Sequence, residues 1–268
     1  MQKYNFDNII PQVGSCFYVA NPKKFNDNYF ALLNSFRKYY LKTNIAYSYK
    51  TNYLPSFCKI VLKNGGYAEV VSSMEAELAL KIGVPPTKIF FNGAYKDKSD
   101  LKRLLSLGVT VNIDCFEELT TIIEVSKLLK STCSVGLRCN FDINDGTTSR
   151  FGFDAGDQYI YTVLDIIHEE KYLILNGLHC HFASRSLEKW QNASRQMSNF
   201  ITSLKNSIKS SLEYISLGGG LYGDMHQDLR DQFAVTIPSF DDYARISALE
   251  FSRCMNENSL SDITLIIE

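Results

Sequence analysis

Little in this sequence points outward. Of its 268 residues 28 are basic and 29 acidic, a net charge of −1, so no basic field draws nucleic acid and no acidic tail is present. No apolar run nears the length of a membrane span. The opening MQKYNFDNIIPQVG has no basic head followed by an apolar core, so no secretory signal is expected. The seven cysteines are odd in number and include no C-x-x-C pair, which suits reduced thiols better than a disulfide framework. The expectation is a soluble cytoplasmic protein with neither a nucleic-acid nor a membrane partner.

What is present is an alternation. After a strand-like SCFYVAN and an amphipathic KFNDNYFALLNSFRKYYLK come eight apolar strand candidates: NIAYSY, YAEVVS, KIFFNG, VTVNID, SVGLRCN, LNGLHCHF, YISLGGG and ITLIIE. Between most of them lie segments such as SMEAELALKIG, SDLKRLLSLG and CFEELTTIIEVSKLLK, with apolar residues three and four apart. Gly83 and Gly108 stand where helix C-caps are expected. Strands alternating with helices imply parallel pairing with right-handed crossovers, and eight such units imply a closed (β/α)8 TIM barrel occupying 1–268, its eighth strand at the end of the sequence. The stretch NFDINDGTTSRFGFDAGD is too polar and glycine-rich for strand or helix and reads as a long, functional loop.

In such a barrel the chemistry belongs at the carboxyl ends of the strands. Taken in order, those ends carry Lys50, Glu69, Asn92, Asp114, Arg138, His179 with His181, Gly218 to Gly220, and Glu268. Polar or backbone-exposing residues in register at every strand top define a lined site. Each of them has more than one reading. Lys50 follows an apolar run, and a lysine buried there would be a nucleophilic amine; the plainer reading is a rim lysine paired with Glu69. The triple glycine after the seventh strand is a phosphate cradle or a flexible turn, and its place in the barrel favours phosphate. His179 and His181 share one face of the sixth strand, with Cys180 turned the other way. They suit a zinc pair, satisfied core histidines, or an imidazole stacked on an aromatic ligand. Zinc is disfavoured because only His168 and His226 remain as further histidines, and His168 falls in a predicted helix. An imine-forming lysine, a phosphate cradle, a stacking imidazole and a carboxylate at Glu268 together fit pyridoxal phosphate.

From about Phe17 to Glu268 the sequence resembles the fold-type III pyridoxal-phosphate decarboxylases, the ornithine and diaminopimelate decarboxylase group. CFYVAN is similar to that family's opening strand and YSYKTN to the segment carrying its Schiff-base lysine. SRFGF resembles its S-[KR]-F-G loop, GLHCHFAS its G-x-H-x-H-x-G-S, and LGGGLYG its phosphate loop. The resemblance implies an alanine-racemase-like barrel that binds pyridoxal 5'-phosphate, with Lys50 forming the internal aldimine and His181 stacked on the ring. It places Ser184, Gly218, Gly219 and Gly220 around the phosphate and Glu268 against the pyridine nitrogen. Glu69 and Arg138 match positions that order the lysine and the site.

Two departures stand out. Ala183 replaces the family's glycine before Ser184, and the P-G-R expected after Glu268 is absent. The family's C-terminal β-domain, which completes the partner's site in a homodimer, is therefore expected to be missing from this chain, leaving the barrel alone incomplete as an enzyme. The activity the resemblance implies is decarboxylation of a small amino acid through a quinonoid carbanion. A pyridoxal-phosphate racemase and a non-catalytic cofactor-binding barrel are the alternatives. Glu268 favours the decarboxylase, because the related racemases set an arginine against the ring nitrogen.

Overall fold

A computed structural model of the chain describes residues 7–14, 16–143, 149–260 and 262–268. Its strands are β1 (Thr43–Ser48), β2 (Tyr67–Val70), β3 (Ile89–Phe91), β4 (Thr110–Ile113), β5 (Cys133–Asn140), β6 (Phe153–Asp154), β7 (Leu173–His179), β8 (Tyr214–Ser216) and β9 (Thr264–Ile267). All pairings are parallel, and the order β4-β3-β2-β1-β9-β8-β7-β5 closes through a β4–β5 pairing, with β6 appended to β5. The eight expected strands therefore form the closed barrel, and β6 is an extra two-residue strand within the polar stretch assigned to neither element. It forms because Cys139 and Asn140 extend β5 far enough to leave ladder groups that Phe153 and Asp154 satisfy. Residues 144–148 of that stretch lie outside the described residues.

The helices are α1 (Ile10–Val13), α2 (Pro22–Arg37), α3 (Pro55–Lys63), α4 (Ser73–Ile82), α5 (Lys98–Leu107), α6 (Phe116–Leu129), α7 (Tyr159–Glu169), α8 (Leu187–Ser203), α9 (Asn206–Lys209), α10 (Gln227–Arg230) and α11 (Phe240–Glu257). Local chemistry sets their ends. Asn21 caps α2 by accepting from Lys24 N with Pro22 in the first turn, and Ser72 and Asp97 cap α4 and α5 in the same way. Ser239 and Asp242 form a reciprocal capping box on α11. Gly83 and Gly108 end α4 and α5 in the left-handed conformation, at φ 97° and 89°.

One strand expectation fails. Residues 16–21 of SCFYVAN join no ladder, and Tyr18 and Val19 stand exposed. A closed barrel has no free edge for that segment to pair with, so its apolar residues find no ladder partner.

Along each barrel strand, side chains alternate between the helix layer and the interior. The helix-facing set builds the main core, including Val70, Phe91, Ile113, Leu137, Leu178 and Ile267. The interior holds a separate cluster of Ala46, Phe90, Tyr214 and Ile266, with Tyr67 packed against it. The Phe90 and Tyr214 rings lie 4.5 Å apart and those of Tyr67 and Phe90 5.1 Å apart. Tyr214 fits into the barrel interior because Gly177, beside it on β7, and Gly136 on β5 carry no side chain. A Cβ on Gly177 would overlap the Tyr214 ring, and one on Gly136 would overlap Asn112 Oδ1 and Tyr214 Oη. At Val135 and Gly136 the β5–β7 register also shifts. Gly177→Ala is expected to destabilise the fold by about 1–3 kcal/mol through overpacking. Gly223→Ala, where a Cβ meets nothing within 4 Å, should stay within about 0.5 kcal/mol of the parent in the same urea titration.

Candidate functional site

Above the aromatic floor the inward positions turn polar. Strand alternation carries Ser48, Glu69, Asn92, Arg138, His179, Ser216 and Glu268 to one level near the carboxyl rim, with Ser48 paired to Glu69 and His179 to Arg138 and Ser216. Asn92 is the hub. Its Nδ2 donates to Glu69 Oε1 at 3.0 Å and to Glu268 Oε1 at 3.1 Å. Its own Oδ1 accepts from Asn112 Nδ2 at 2.6 Å, and Asn112 Oδ1 accepts from Tyr214 Oη at 2.6 Å. A hydrogen-bonded column thus runs from the barrel floor to two buried carboxylates.

Lys50 is not buried. About a third of its side chain (36 %) is exposed, and its Nζ lies 3.1 Å from both oxygens of the fully buried Glu69. The desolvated lysine allowed by the sequence is replaced by a part-exposed rim lysine in an ion pair, where the chain passes into the exposed stretch Thr51 to Ser56. Ser48 Oγ also donates to Glu69.

Glu268 accepts from Ser216 Oγ at 3.0 Å and lies 3.1 Å from His179 Nε2. Its second oxygen is buried, has no hydrogen-bond partner among the described residues and lies 3.9 Å from His181 Nδ1. Burial pushes the Glu69 carboxyl up and the neighbouring Glu268 charge adds to this, against the pull of Lys50 and Ser48. Burial also acts to raise Glu268, yet the imidazoles of His179 and His181 and the Lys50 ammonium bring it down to about 2. The environments of the two carboxyls are thus pushed apart, one toward the neutral acid and the other toward a persistent anion. His181 is held down to about 4 by burial, although Glu268 pulls the other way. Its neutral Nδ1 accepts the Gly219 N–H at 3.2 Å, which puts the ring proton on Nε2.

The glycine loop is locked to these groups. A Cβ on Gly218 would press on Cys180 O and His181 Nδ1, one on Gly219 on Glu268 O, and one on Gly220 on Ser184 O. Glu268 N donates to Gly218 O at 2.9 Å. The Gly220 N–H donates to no protein acceptor among the described residues. Beside this loop lies a cavity of about 510 Å³, bordered by Lys50, His181, Ser184, Gly219, Gly220 and Glu268. Ala183 stands exposed on its rim.

The structure therefore brings Lys50, Glu69, His181, Ser184, Gly218, Gly219, Gly220 and Glu268 to one mouth. Arg138 reaches it from β5, anchored by Asp114 at 2.7 Å and lying over the Phe151 ring at 4.8 Å. Sequence reasoning did not single out Ser48, Asn112, Tyr214 or Ser216. The period-2 alternation that leads inward to Glu69 leads equally to them. Among the described residues, no three His, Cys, Asp or Glu side chains converge on a point suited to a metal ion. No helix of the described residues is long and apolar enough to cross a membrane.

Pyridoxal phosphate fits this set of residues. The cavity is lined by the Lys50 amine, the Gly220 backbone, the Ser184 hydroxyl and the Glu268 carboxylate, one of whose buried oxygens has no hydrogen-bond partner among the described residues.

A closed parallel (β/α)8 barrel with a lysine, an imidazole and a glycine loop lining one cavity at its carboxyl end is the architecture of a small-molecule-binding barrel. The sequence matches the family described as pyridoxal-dependent decarboxylase, pyridoxal binding domain, over residues 28–268, and the chain belongs to that family. It is 27% identical over 263 residues to the diaminopimelate decarboxylase of Methanocaldococcus jannaschii, covering 89% of this chain and 60% of that protein. It is 30% identical over 240 residues to a probable chloroplastic diaminopimelate decarboxylase of Oryza sativa subsp. japonica, covering 85% of this chain and 46% of the relative. The crystal structure of the M. jannaschii enzyme in co-complex with L-lysine superposes with a TM-score of 0.86 at 26% identity, over 99% of this chain and 63% of that one. The chain thus spans less than two thirds of the relatives it matches.

The depressed carboxyl of Glu268 sets a pH dependence. A carboxylate whose folded-state value lies at about 2, below the usual 4.5, stabilises the fold above about 4.5 and loses that contribution as the pH falls toward 2. The Tm advantage of the parent over Glu268→Gln should be largest near neutral pH and close through that window. A gap that does not change with pH in thermal melts would show that the ionised carboxylate contributes nothing.

Proposed function

We propose that the protein is a pyridoxal-phosphate-dependent amino-acid decarboxylase of the diaminopimelate type. The observation that carries this reading is the buried Glu268 carboxylate on the cavity wall, its acidity held at about 2 and one of its oxygens without a partner among the described residues. Bound there, pyridoxal phosphate supplies an aldehyde for an amine and a protonated ring nitrogen able to take up electrons from the substrate's α-carbon.

The chain's own groups have distinct tasks. Lys50 provides the amine, and its ammonium must first lose a proton; Glu69, 3.1 Å away and with its acidity weakened by burial, is the acceptor within reach. Glu268 holds a proton on the ring nitrogen by its negative charge, which an arginine at the same place would repel. That favours loss of CO2 over racemisation. His181, neutral and oriented by Gly219 N–H, covers the ring face without adding a competing charge. Ser184 and the Gly220 amide take the phosphate, with Gly218 and Gly219 holding the loop around it through their bonds to Ser216 and His181. Arg138, fixed by Asp114, borders the mouth as an ordering cation.

Two diaminopimelate decarboxylases among the relatives support diaminopimelate as the substrate. We also take the protein to work as a cytoplasmic homodimer. Seven free cysteines, five of them buried, suit a reducing compartment. The exposed aromatics Tyr53, Tyr95 and Phe116 that follow strands β1, β3 and β4 offer a face for a second copy.

Borohydride treatment of the protein with pyridoxal phosphate, followed by peptide mapping, should place the reduced label on Lys50, and Lys50→Arg should carry none. A label on another lysine would remove Lys50 from its role. In the corresponding CO2-release assay, diaminopimelate should exceed lysine, ornithine and arginine. Release from ornithine first would overturn the substrate assignment while leaving the cofactor site standing.

A further inference from the structure

Beneath the two carboxyls sits a hydroxyl that touches neither of them. Tyr214, on β8, is 4 % exposed, and its ring packs against Phe90 in the barrel interior. Its Oη makes one hydrogen bond among the described residues, to Asn112 Oδ1 at 2.6 Å. Burial keeps the hydroxyl protonated, so it has one proton to give and one acceptor to give it to.

That bond sets the direction of those above it. With Tyr214 donating, Asn112 turns its oxygen toward the ring and its amide N–H toward Asn92 Oδ1, at 2.6 Å. Asn92 then presents N–H groups to Glu69 Oε1 and Glu268 Oε1, at 3.0 and 3.1 Å. Carboxylate oxygens only accept, so this direction suits two ionised groups. Were both amides turned over, Asn92 Oδ1 would face two acceptors, and one carboxyl would have to carry a proton to meet it. The Tyr214 hydroxyl would then be a buried donor without an acceptor. A phenylalanine at 214 imposes no such choice, because the reversed Asn112 amide can rest its N–H on the ring face.

We infer that Tyr214 is a positioning residue: its hydroxyl, acting through Asn112, holds the Asn92 N–H groups toward Glu69 and Glu268 and so keeps Glu69 ionised and open to a proton from Lys50. The other groups at the mouth do not fix that direction. Lys50 and Ser48 contact Glu69 but not Glu268, His179 and His181 face Glu268, and Arg138 is held by Asp114. Among the described residues Asn92 alone hydrogen-bonds to both carboxyls. The Lys50 step rests on the pyridoxal-phosphate reading above; the direction of the amides does not.

Tyr214→Phe removes one oxygen and keeps the ring. Protein labelled with carbon-13 at the glutamate side-chain carboxyls is titrated by NMR without cofactor, the Glu69 signal being assigned by its loss in Glu69→Gln. Tyr214→Phe should raise the Glu69 midpoint by about one pH unit, tenfold in proton affinity, while the exposed Glu188 does not move. Asn112→Leu should raise it similarly, and the double variant by no more than either alone, because the two groups act in one chain. With pyridoxal phosphate, the visible absorbance of the imine at neutral pH should rise about tenfold more slowly in Tyr214→Phe, as the ionised share of Glu69 falls. An unshifted Glu69 midpoint in Tyr214→Phe or Asn112→Leu, or additive shifts in the double variant, overturns the inference. A Tyr214→Phe protein that does not fold overturns it too, since the hydroxyl is then a structural requirement. An imine rate that ignores the Glu69 shift overturns the Lys50 step. A parent with the expected Glu69 behaviour that forms no imine overturns the cofactor reading and leaves the role of Tyr214 standing.

Discussion

One amide group decides how the barrel mouth is charged. Asn92 Nδ2 donates at once to Glu69 and Glu268, two carboxyls that strand alternation buries at the same level. Two buried carboxylates this close repel, and burial alone disfavours both. The amide lowers the cost of an oxygen on each, while the remaining partners are divided unequally. Glu69 receives a solvent-accessible lysine and a serine; Glu268 receives a histidine and a serine, with a second histidine nearby. Two chemically identical side chains thereby come to differ, one suited to taking a proton and the other to staying an anion. Asn92 can hold this position because Asn112 and Tyr214 fix its carbonyl from below, and Tyr214 fits only because Gly136 and Gly177 leave room for its ring.

A second polar arrangement supports the mouth from outside. Lys96 is fully buried, with Nζ 2.7 Å from Glu118 Oε1 and donating to Gly93 O and Asn112 O at 2.8 and 3.0 Å. Glu118 Oε2 accepts the Asp114 N–H at 2.7 Å, and Asp114 holds Arg138. Burial lowers the Lys96 ammonium and raises the Glu118 carboxyl, the usual cost of placing an ion pair away from water. Three backbone contacts offset part of that cost, and they join the ends of β3 and β4 to the cation at the end of β5. The pair acts as a strut between neighbouring strand tops.

The sequence carried the architecture because its signals are local. Apolar runs bounded by Gly83 and Gly108, and helical spacing in segments such as SDLKRLLSLG, are set within a dozen residues, and the eight barrel strands follow from them. The carboxyl ends of those strands then marked Glu69, Arg138, His179 and Glu268 as site residues. What they could not mark depends on partners far along the chain. The Tyr214–Asn112 contact spans 102 positions, and the need for glycine at 136 and 177 is visible only once that ring crosses the barrel. SCFYVAN has strand composition, but a strand needs an edge, and closure of the barrel removes it. Lys50 follows an apolar run, yet its exposure depends on where the next loop turns, which the run does not specify.

The seam between β8 and β9 joins the cofactor-facing halves of the site into one body. Leu217 N donates to Ile266 O at 3.1 Å, and Glu268 N to Gly218 O at 2.9 Å, so the ladder continues past both strand ends into the glycine loop. The carbonyl of Glu268 then fills the space a side chain on Gly219 would need, while Gly219 N–H is spent on His181. A displacement of the loop would therefore move the carboxylate and the imidazole with it. The distance between the Gly220 backbone and the Glu268 carboxylate is thus set by backbone hydrogen bonds. Side chains with rotamer freedom are left for the tasks that need motion. Lys50, just after β1 and about a third exposed, meets this mouth through its ion pair with Glu69.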